Sequence, residues 1–226
     1  QVLAVDRFAT HSLCYRQDEN GLRFAERADT LGKGRPDLDP QALFDYLYFH
    51  CIPSPRTVFA GVQRLPAAHM AVYEQGRMNV QAYWTPTFKP APGADFGSLR
   101  AEFRDLLKAA VQRQLGGDRP ACFLSGGTDS STVAGMIAAV TGGKAATYSI
   151  GFDAAGYDEM AFARIAARHF GTEHHEYYVT PDDLVAGIPQ VARHYDQPFG
   201  NSSALPAYYC ARMAHDQGVT RLLAGD

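Results

Sequence analysis

Short runs of alternating apolar and polar residues fill the chain up to about position 85, and longer helical periods interleaved with apolar runs follow. Strand-like runs are expected at 2–5, 13–16, 22–25, 70–74 and 78–83, separated by Asp-Glu-Asn-Gly and Glu-Gln-Gly turns. Within this β-rich piece one helix opens at Pro40, with Leu43, Phe44, Leu47 and Tyr48 as its apolar face, and stops before Pro53-Ser54-Pro55. The stretch from Thr85 to Gly93 carries three prolines and no periodic pattern, so it reads as a linker. The expected division is 1–85, a linker at 86–97, and 98–226.

Beyond the linker, helix and strand alternate. Ser98 is placed to cap a helix whose Phe103, Leu106, Leu107, Ala110 and Val111 share a face. Strand 121–124 and a helix carrying Val133, Met136, Ile137 and Val140 come next. A strand at 146–152 follows, then a helix at 158–170 with Phe162, Ile165, Ala166 and His169 on one side, closed by Gly171. A strand at 174–179, helices at 181–195 and 204–216 and a strand at 219–224 complete the order. Such alternation predicts an α/β fold with a doubly wound parallel sheet. In such sheets ligands bind beyond the carboxyl ends of the strands, where the turn at 125–131, the end at Ile150 and the end at Ala224-Gly225-Asp226 can meet.

The turn Ser125-Gly126-Gly127-Thr128-Asp129-Ser130-Ser131 carries the most specific chemistry. Two glycines free backbone N–H groups, the helix start adds its own unpaired N–H groups, and the hydroxyls supply further donors, which together favour an anion. Asp129 repels phosphate directly, so its expected task is to hold a divalent cation that bridges to phosphate oxygens. An ordinary capped turn is the bland alternative. A Walker loop is rejected because Gly142-Gly143-Lys144 has Ala138 and Ala145 at the other required positions, and a hydrolase elbow because Phe123 stands two residues before Ser125.

Twenty-one basic against 24 acidic side chains, a formal net charge of -3, form no basic stripe, so neither nucleic acid nor a membrane surface is an expected partner. Cys14, Cys51, Cys122 and Cys210 lack the Cys-x-x-Cys spacing of a zinc knuckle or redox couple and read as reduced, mostly buried thiols. No leader and no long apolar run is seen, which favours a cytoplasmic location. Both chain ends read as cuts in a longer protein. Glu173-His174-His175-Glu176 could suggest a metal, but neighbours on a strand face opposite sides and at most two could share an ion, so a structural role is expected. His69, His194 and His215 and the scattered tyrosines read as core or surface residues, while Asp158 and Glu159 read as helix-start groups.

The loop at 125–131 resembles the pyrophosphate loop of the N-type ATP pyrophosphatases. With Ser149-Ile150-Gly151-Phe152, Tyr157-Asp158-Glu159, Gly171 to Glu176, Tyr195-Asp196-Gln197-Pro198, Ser202 to Pro206 and Leu222 to Asp226, it is similar in order to the synthetase domain of glutamine-dependent asparagine synthetases. Asp6-Arg7-Phe8, Ile52 to Thr57 and Gly61 to Pro66 are similar to the closing part of that family's N-terminal-nucleophile glutaminase domain. The resemblance therefore implies a sheet of the adenine-nucleotide alpha-hydrolase type preceded by a β-rich glutaminase remnant. A narrower similarity, carried by Phe49 to Pro55 and the loop, is to amidotransferases of bacterial exosortase and exopolysaccharide loci.

The resemblance also implies roles. Ser125, Gly126, Gly127, Asp129, Ser130 and Ser131 would bind pyrophosphate, with Asp129 on Mg2+, while Leu124, Ile150, Ala224 and Gly225 would hold adenosine. Asp129 and Asp226 would serve the reaction. ATP would adenylate a carboxylate such as aspartate or a relative, and ammonia, derived from glutamine, would give the amide; a homodimer is left open. Two alternatives stand beside this reading. One is an adenylating relative using another amine, as in β-lactam formation or sugar amidation, and the other a non-catalytic ATP-binding scaffold. The family's glutaminase nucleophile is an N-terminal cysteine, whereas this chain starts with Gln1 and its first cysteine is Cys14. Residues the family places after Asp226, including a lysine on the phosphate, are also needed, so these residues alone are expected to be inactive.

Overall fold

The computed structural model describes residues 1–19, 21–32, 34, 37–90, 92–116, 119–153 and 158–225. Two compact units divide the chain: Gln1–Pro90 with Ala192–Asn201, and Ala91–Val191 with Ser202–Asp226.

The first unit contains β1 (Val2–Ala4), β2 (Cys14–Asp18), β3 (Gly21–Ala25), α1 (Ala28–Leu31), α2 (Pro40–Phe49), β4 (Gln63–Arg64), β5 (His69–Glu74) and β6 (Arg77–Ala82). They form two antiparallel sheets, ordered β1-β5-β6 and β3-β2-β4. Successive residues of a strand point to opposite faces, and in β2 both faces are covered. Tyr15 packs with Leu3, Val5, Leu65 and Ala71, while Cys14 packs with Ala28, Leu31 and Val62 under α1. β5 and β6 are joined by Gln75-Gly76, both at positive φ (50° and 75°), the geometry whose twist suits a tight hairpin.

Helix α2 starts as its sequence dictates. Pro40 needs no N–H partner, and the Asp39 carboxylate accepts from Gln41 N (2.9 Å) and Ala42 N (3.3 Å). Its predicted apolar face is not covered, however. Only Ala42 is buried, whereas Phe44, Leu47 and Tyr48 are 62–75% exposed.

The second unit contains α3 (Phe96–Gln114), β7 (Ala121–Phe123), α4 (Thr128–Thr141), β8 (Ala146–Phe152), α5 (Met160–Phe170), β9 (Glu173–Val179), α6 (Pro181–His194) and α7 (Ala204–Asp216), with α6 from Ala192 on grouping with the first unit. β7, β8 and β9 pair in parallel in that order. Instead of the strand expected at 219–224, an extended segment makes one parallel bridge to β7, with Phe123 N donating to Leu223 O (3.0 Å) and Leu223 N to Ala121 O (2.9 Å).

Both faces of this sheet are covered, which makes it doubly wound. One face buries Cys122, Leu124 and Ala145 against Ala134 and Ile137 of α4 and Met160, Ala163, Ala166 and Ala167 of α5. The other buries Ala121, Ala146 and Tyr148 against Cys210 and Ala214 of α7.

Two helix readings need correction. Asp95, not Ser98, caps α3: its carboxylate accepts from Ser98 N (2.8 Å), and Ser98 lies inside the first turn. The large residues expected inside α3 and α5 lie outside, Phe103 and Leu106 at 62% and 60% exposure and Phe162 and Ile165 at 62% and 56%. Alanines face the sheet in α5 because a helix carrying small residues can approach a sheet closely. Among the described residues no helix is long and apolar enough to cross a membrane.

Candidate functional site

The turn between β7 and α4 is folded by its own serines. Ser125 N donates to Ser130 Oγ (3.2 Å), the two hydroxyls lie 3.0 Å apart, and Ser130 Oγ donates to Gly127 O (3.3 Å). Gly127 N in turn donates to Ser125 Oγ at 3.3 Å. Ser130 is thus the hub that closes the loop back on the first helical turn. The first intrahelical bond of α4 runs from Ser131 N to Gly127 O, so the N–H groups of Thr128, Asp129 and Ser130 have no acceptor within the helix and face the loop mouth. The positive end of the helix dipole adds to the same field.

Two glycines are fixed by close approach. Gly126 has φ 86°, and a Cβ there would come within 2.4 Å of Phe162 C and Ala163 N in the first turn of α5. A Cβ on Gly225 would meet the Asp129 carbonyl carbon at 2.6 Å and Ser130 N at 2.7 Å. The loop is therefore held between α5 on one side and the 222–225 segment on the other. These contacts bring Gly225 beside Asp129 and Ser130.

Leu124 is buried, and its N–H donates to Tyr148 O (2.9 Å) while its carbonyl accepts from Ser149 Oγ. Only the second lone pair of that carbonyl remains for another donor. In the sequence Ser149 stands out only as part of a strand-end motif, and its buried hydroxyl is what ties β8 to the base of the loop. Ile150 lies on β8, packed toward the α7 side. Gly151 lies under Tyr178, whose ring would be 2.6 Å from a Cβ, and Tyr178 Oη donates to Asp158 Oδ2 (3.3 Å). Asp226 lies outside the described residues.

A cavity of about 550 Å³ opens beside the loop, lined by Phe103, Leu107 and Val111 of α3, Asp129 and Thr132 of α4, and Gly225. Asp129 is exposed and borders this cavity, and its carboxylate makes no hydrogen bond or ion pair among the described residues. Among those residues no three metal-binding side chains cluster. The donors present suit Mg2+, which keeps several waters and needs only one or two carboxylates when phosphate oxygens complete its shell.

The Glu173–Glu176 stretch behaves structurally. His174 shares a hydrogen bond with Thr147 Oγ1 (3.0 Å) and has Glu176 3.4 Å away, while Arg164 grips Glu176 through Nε and an Nη (2.8 and 2.6 Å). On the opposite face His175 stacks on Tyr148 at 4.9 Å, and Glu173 pairs with Arg119. Hydrogen bonding from Arg164 and Arg119 holds the two glutamates below the usual carboxylate range, and burial lowers the His174 pKa.

A parallel sheet covered on both faces, with a glycine turn at the carboxyl end of its first strand, makes the second unit a doubly wound α/β fold. The chain belongs to the asparagine synthase family, which matches residues 102–226, and residues 1–84 match the glutamine amidotransferase domain. It is 34% identical over 197 residues to a protein of Methanocaldococcus jannaschii that carries the name glutamine-hydrolysing asparagine synthetase 2. The match covers 85% of this chain and 38% of that protein. It is 29% identical over 227 residues to glutamine-hydrolysing asparagine synthetase 1 of Bacillus subtilis, covering 99% of this chain and 35% of the relative. The chain thus spans little more than a third of these relatives. An NMN synthetase from Francisella tularensis aligns over 56% of this chain and 54% of its own, at 16% identity and a TM-score of 0.40.

Proposed function

We propose that the whole protein is an ATP-dependent amidotransferase of the asparagine-synthetase type. The observation that carries this reading is the loop from Ser125 to Ser131: a serine-closed turn with the free N–H groups of a helix start, inside a chain of this family. In this reading the loop N–H groups and hydroxyls hold the β and γ phosphates of ATP, and Gly225, Ala224, Ile150 and the Leu124 carbonyl border the adenosine. Asp129 would hold Mg2+, which neutralises charge on phosphate oxygens when bound, and Asp226 would also serve the reaction.

A substrate carboxylate oxygen attacks the α-phosphorus. The new P–O bond forms as the bond to pyrophosphate breaks, giving an acyl-adenylate. Ammonia released from glutamine then attacks the acyl carbon, loses a proton, and AMP leaves with the bonding pair. The chain's contribution is electrostatic and positional: fixed N–H dipoles stabilise charge growing on pyrophosphate, and the rigid turn holds the reacting groups in line. The carboxylate is aspartate or a relative, and the setting is the cytoplasm.

The experiment is a product analysis on the whole protein with ATP, Mg2+, ammonium and a panel of carboxylates. Carboxylate-dependent AMP and pyrophosphate, lost in Asp129→Asn, is the expected outcome. ADP and phosphate would refute adenylation, and ATP binding without turnover on any carboxylate would favour a scaffold.

A further inference from the structure

The segment Ala192–Asn201 lies within the part of the chain that matches the asparagine synthase family, yet it groups with the first unit. Its contacts there are spread over four separate places. Asp196 accepts from Ala28 N (2.8 Å) and from Arg64 Nη2 at 2.9 and 3.1 Å, with side chains only 15% and 24% exposed. Arg27 Nη1 donates to His194 O (2.8 Å), and Gln197 Oε1 accepts from Val58 N (3.1 Å). Gly200 N donates to His50 O (2.8 Å), and a Cβ on Gly200 would lie 3.1 Å from that same oxygen. Tyr195 and Phe199 stack on each other at 4.7 Å, which braces the segment between its polar anchors.

These contacts are not those of a passive connection. One carboxylate satisfies both the first N–H of α1 and a largely buried guanidinium, so removing it leaves two donors unpaired at once. Backbone atoms of three sequence-distant places, at 28, 50 and 58, read the segment's side chains and main chain, which fixes its register. Covalently, the segment continues α6 at one end and leads through Ser202 into α7 at the other.

We propose that Ala192–Asn201 is an intrachain strap, docked as one cooperative piece in the amidotransferase-like unit and latched by Asp196 on Arg64, which couples that unit to the synthetase unit through α6 and α7. Asp196 and Arg64 are positioning residues in this scheme. The coupling rests on the function proposed above; the docking does not.

The test is hydrogen exchange on the whole protein and on Asp196→Ala, with Arg64→Gln as a second variant should the first fail to fold. The latch predicts that the amides of Val58 and Gly200, which Asp196 does not touch, exchange faster by about ten- to a hundredfold along with Ala28, the factor expected for losing charge-assisted hydrogen bonds. Leu124 N, in the other unit, should keep its protection. Faster exchange confined to Ala28 would overturn the strap as a cooperative piece. The second readout is amide formation driven by glutamine against that driven by ammonium. A several-fold loss with glutamine alone supports coupling; an equal loss with both, or none with either, overturns it. Absence of amide formation from ammonium in the unaltered protein would refute the proposed function, and the exchange result would still decide the docking.

Discussion

Gly225 rests on the backbone of Asp129: a single added carbon would sit 2.6 Å from the Asp129 carbonyl carbon and 2.9 Å from its oxygen. Neither partner can give way cheaply, because both are main chain and Asp129 belongs to the first turn of α4. Gly225→Ala must therefore push the 222–225 segment off β7 or tilt the turn that presents Thr128, Asp129 and Ser130. The expected cost is about 1–3 kcal/mol of stability, the range for overpacking, together with weaker ATP binding. Urea unfolding and ATP titration calorimetry check it; stability within about 0.5 kcal/mol of the parent and unchanged affinity would contradict the packing argument.

Ser130 and Asp129 separate loop closure from charge. Ser130 Oγ joins Ser125 to Gly127, whereas among the described residues the Asp129 carboxylate makes no hydrogen bond or ion pair. Ser130→Ala should leave unfolding energy within about 1 kcal/mol, since water can replace bonds to an exposed hydroxyl, yet weaken ATP binding whether or not Mg2+ is present. Asp129→Asn should leave ATP binding without Mg2+ intact or improved, by removing a negative charge near phosphate, and should abolish the gain that Mg2+ brings. Titrations with and without Mg2+ read both; an identical profile for the two variants would refute the division of roles.

What could be read from the sequence follows from the range of the interaction. The turn at 125–131 was legible because its glycines, hydroxyls and flanking apolar runs are local, and the parallel sheet because β7, β8 and β9 alternate with helices of ordinary length. Helical period marked a stripe on α5 but not which stripe is covered. Ala163, Ala166 and Ala167 face the sheet while Phe162 and Ile165 stay outside, a choice made by the spacing of α5 from its neighbours. The close approach of Gly126 to α5, the Ser149 bond to Leu124 and the grouping of Asp196 with Arg64 join residues from 25 to 132 positions apart, which no local pattern encodes.

Thiol reactivity should follow burial. Of the four cysteines Cys51 is exposed and the other three are buried, and burial pushes both the Cys122 and Cys210 thiols up to about 12. A thiolate is the reactive species, so these two are protected by protonation as well as by access. Under native conditions a maleimide should label Cys51 within the time that leaves Cys122 and Cys210 untouched, and all four once the chain is unfolded. Mass mapping of labelled peptides gives the answer; fast native labelling at Cys122 would mean that the core between β7 and α4 is open.

Acid should weaken the second unit first through His174. Burial disfavours its charged form, Glu176 opposes that, and the neighbouring His175 and Arg164 side chains act with burial; the net result is a folded pKa below the ordinary histidine value of 6.5. The unfolded chain therefore binds a proton more readily than the folded one, and stability rises with pH across the interval between the two values. The contribution is complete above pH 6.5 and is lost as the pH falls from there through the lowered folded value. Glu176 and Glu173, held below the usual carboxylate range by Arg164 and Arg119, add a separate loss at more acidic pH. In His174→Gln the slope of unfolding free energy against pH just below 6.5 should flatten, while the more acidic loss from the glutamates stays. Urea unfolding followed across both intervals tests this, and an unchanged slope in the histidine interval would show that His174 stays equally protonated in the folded and unfolded chain.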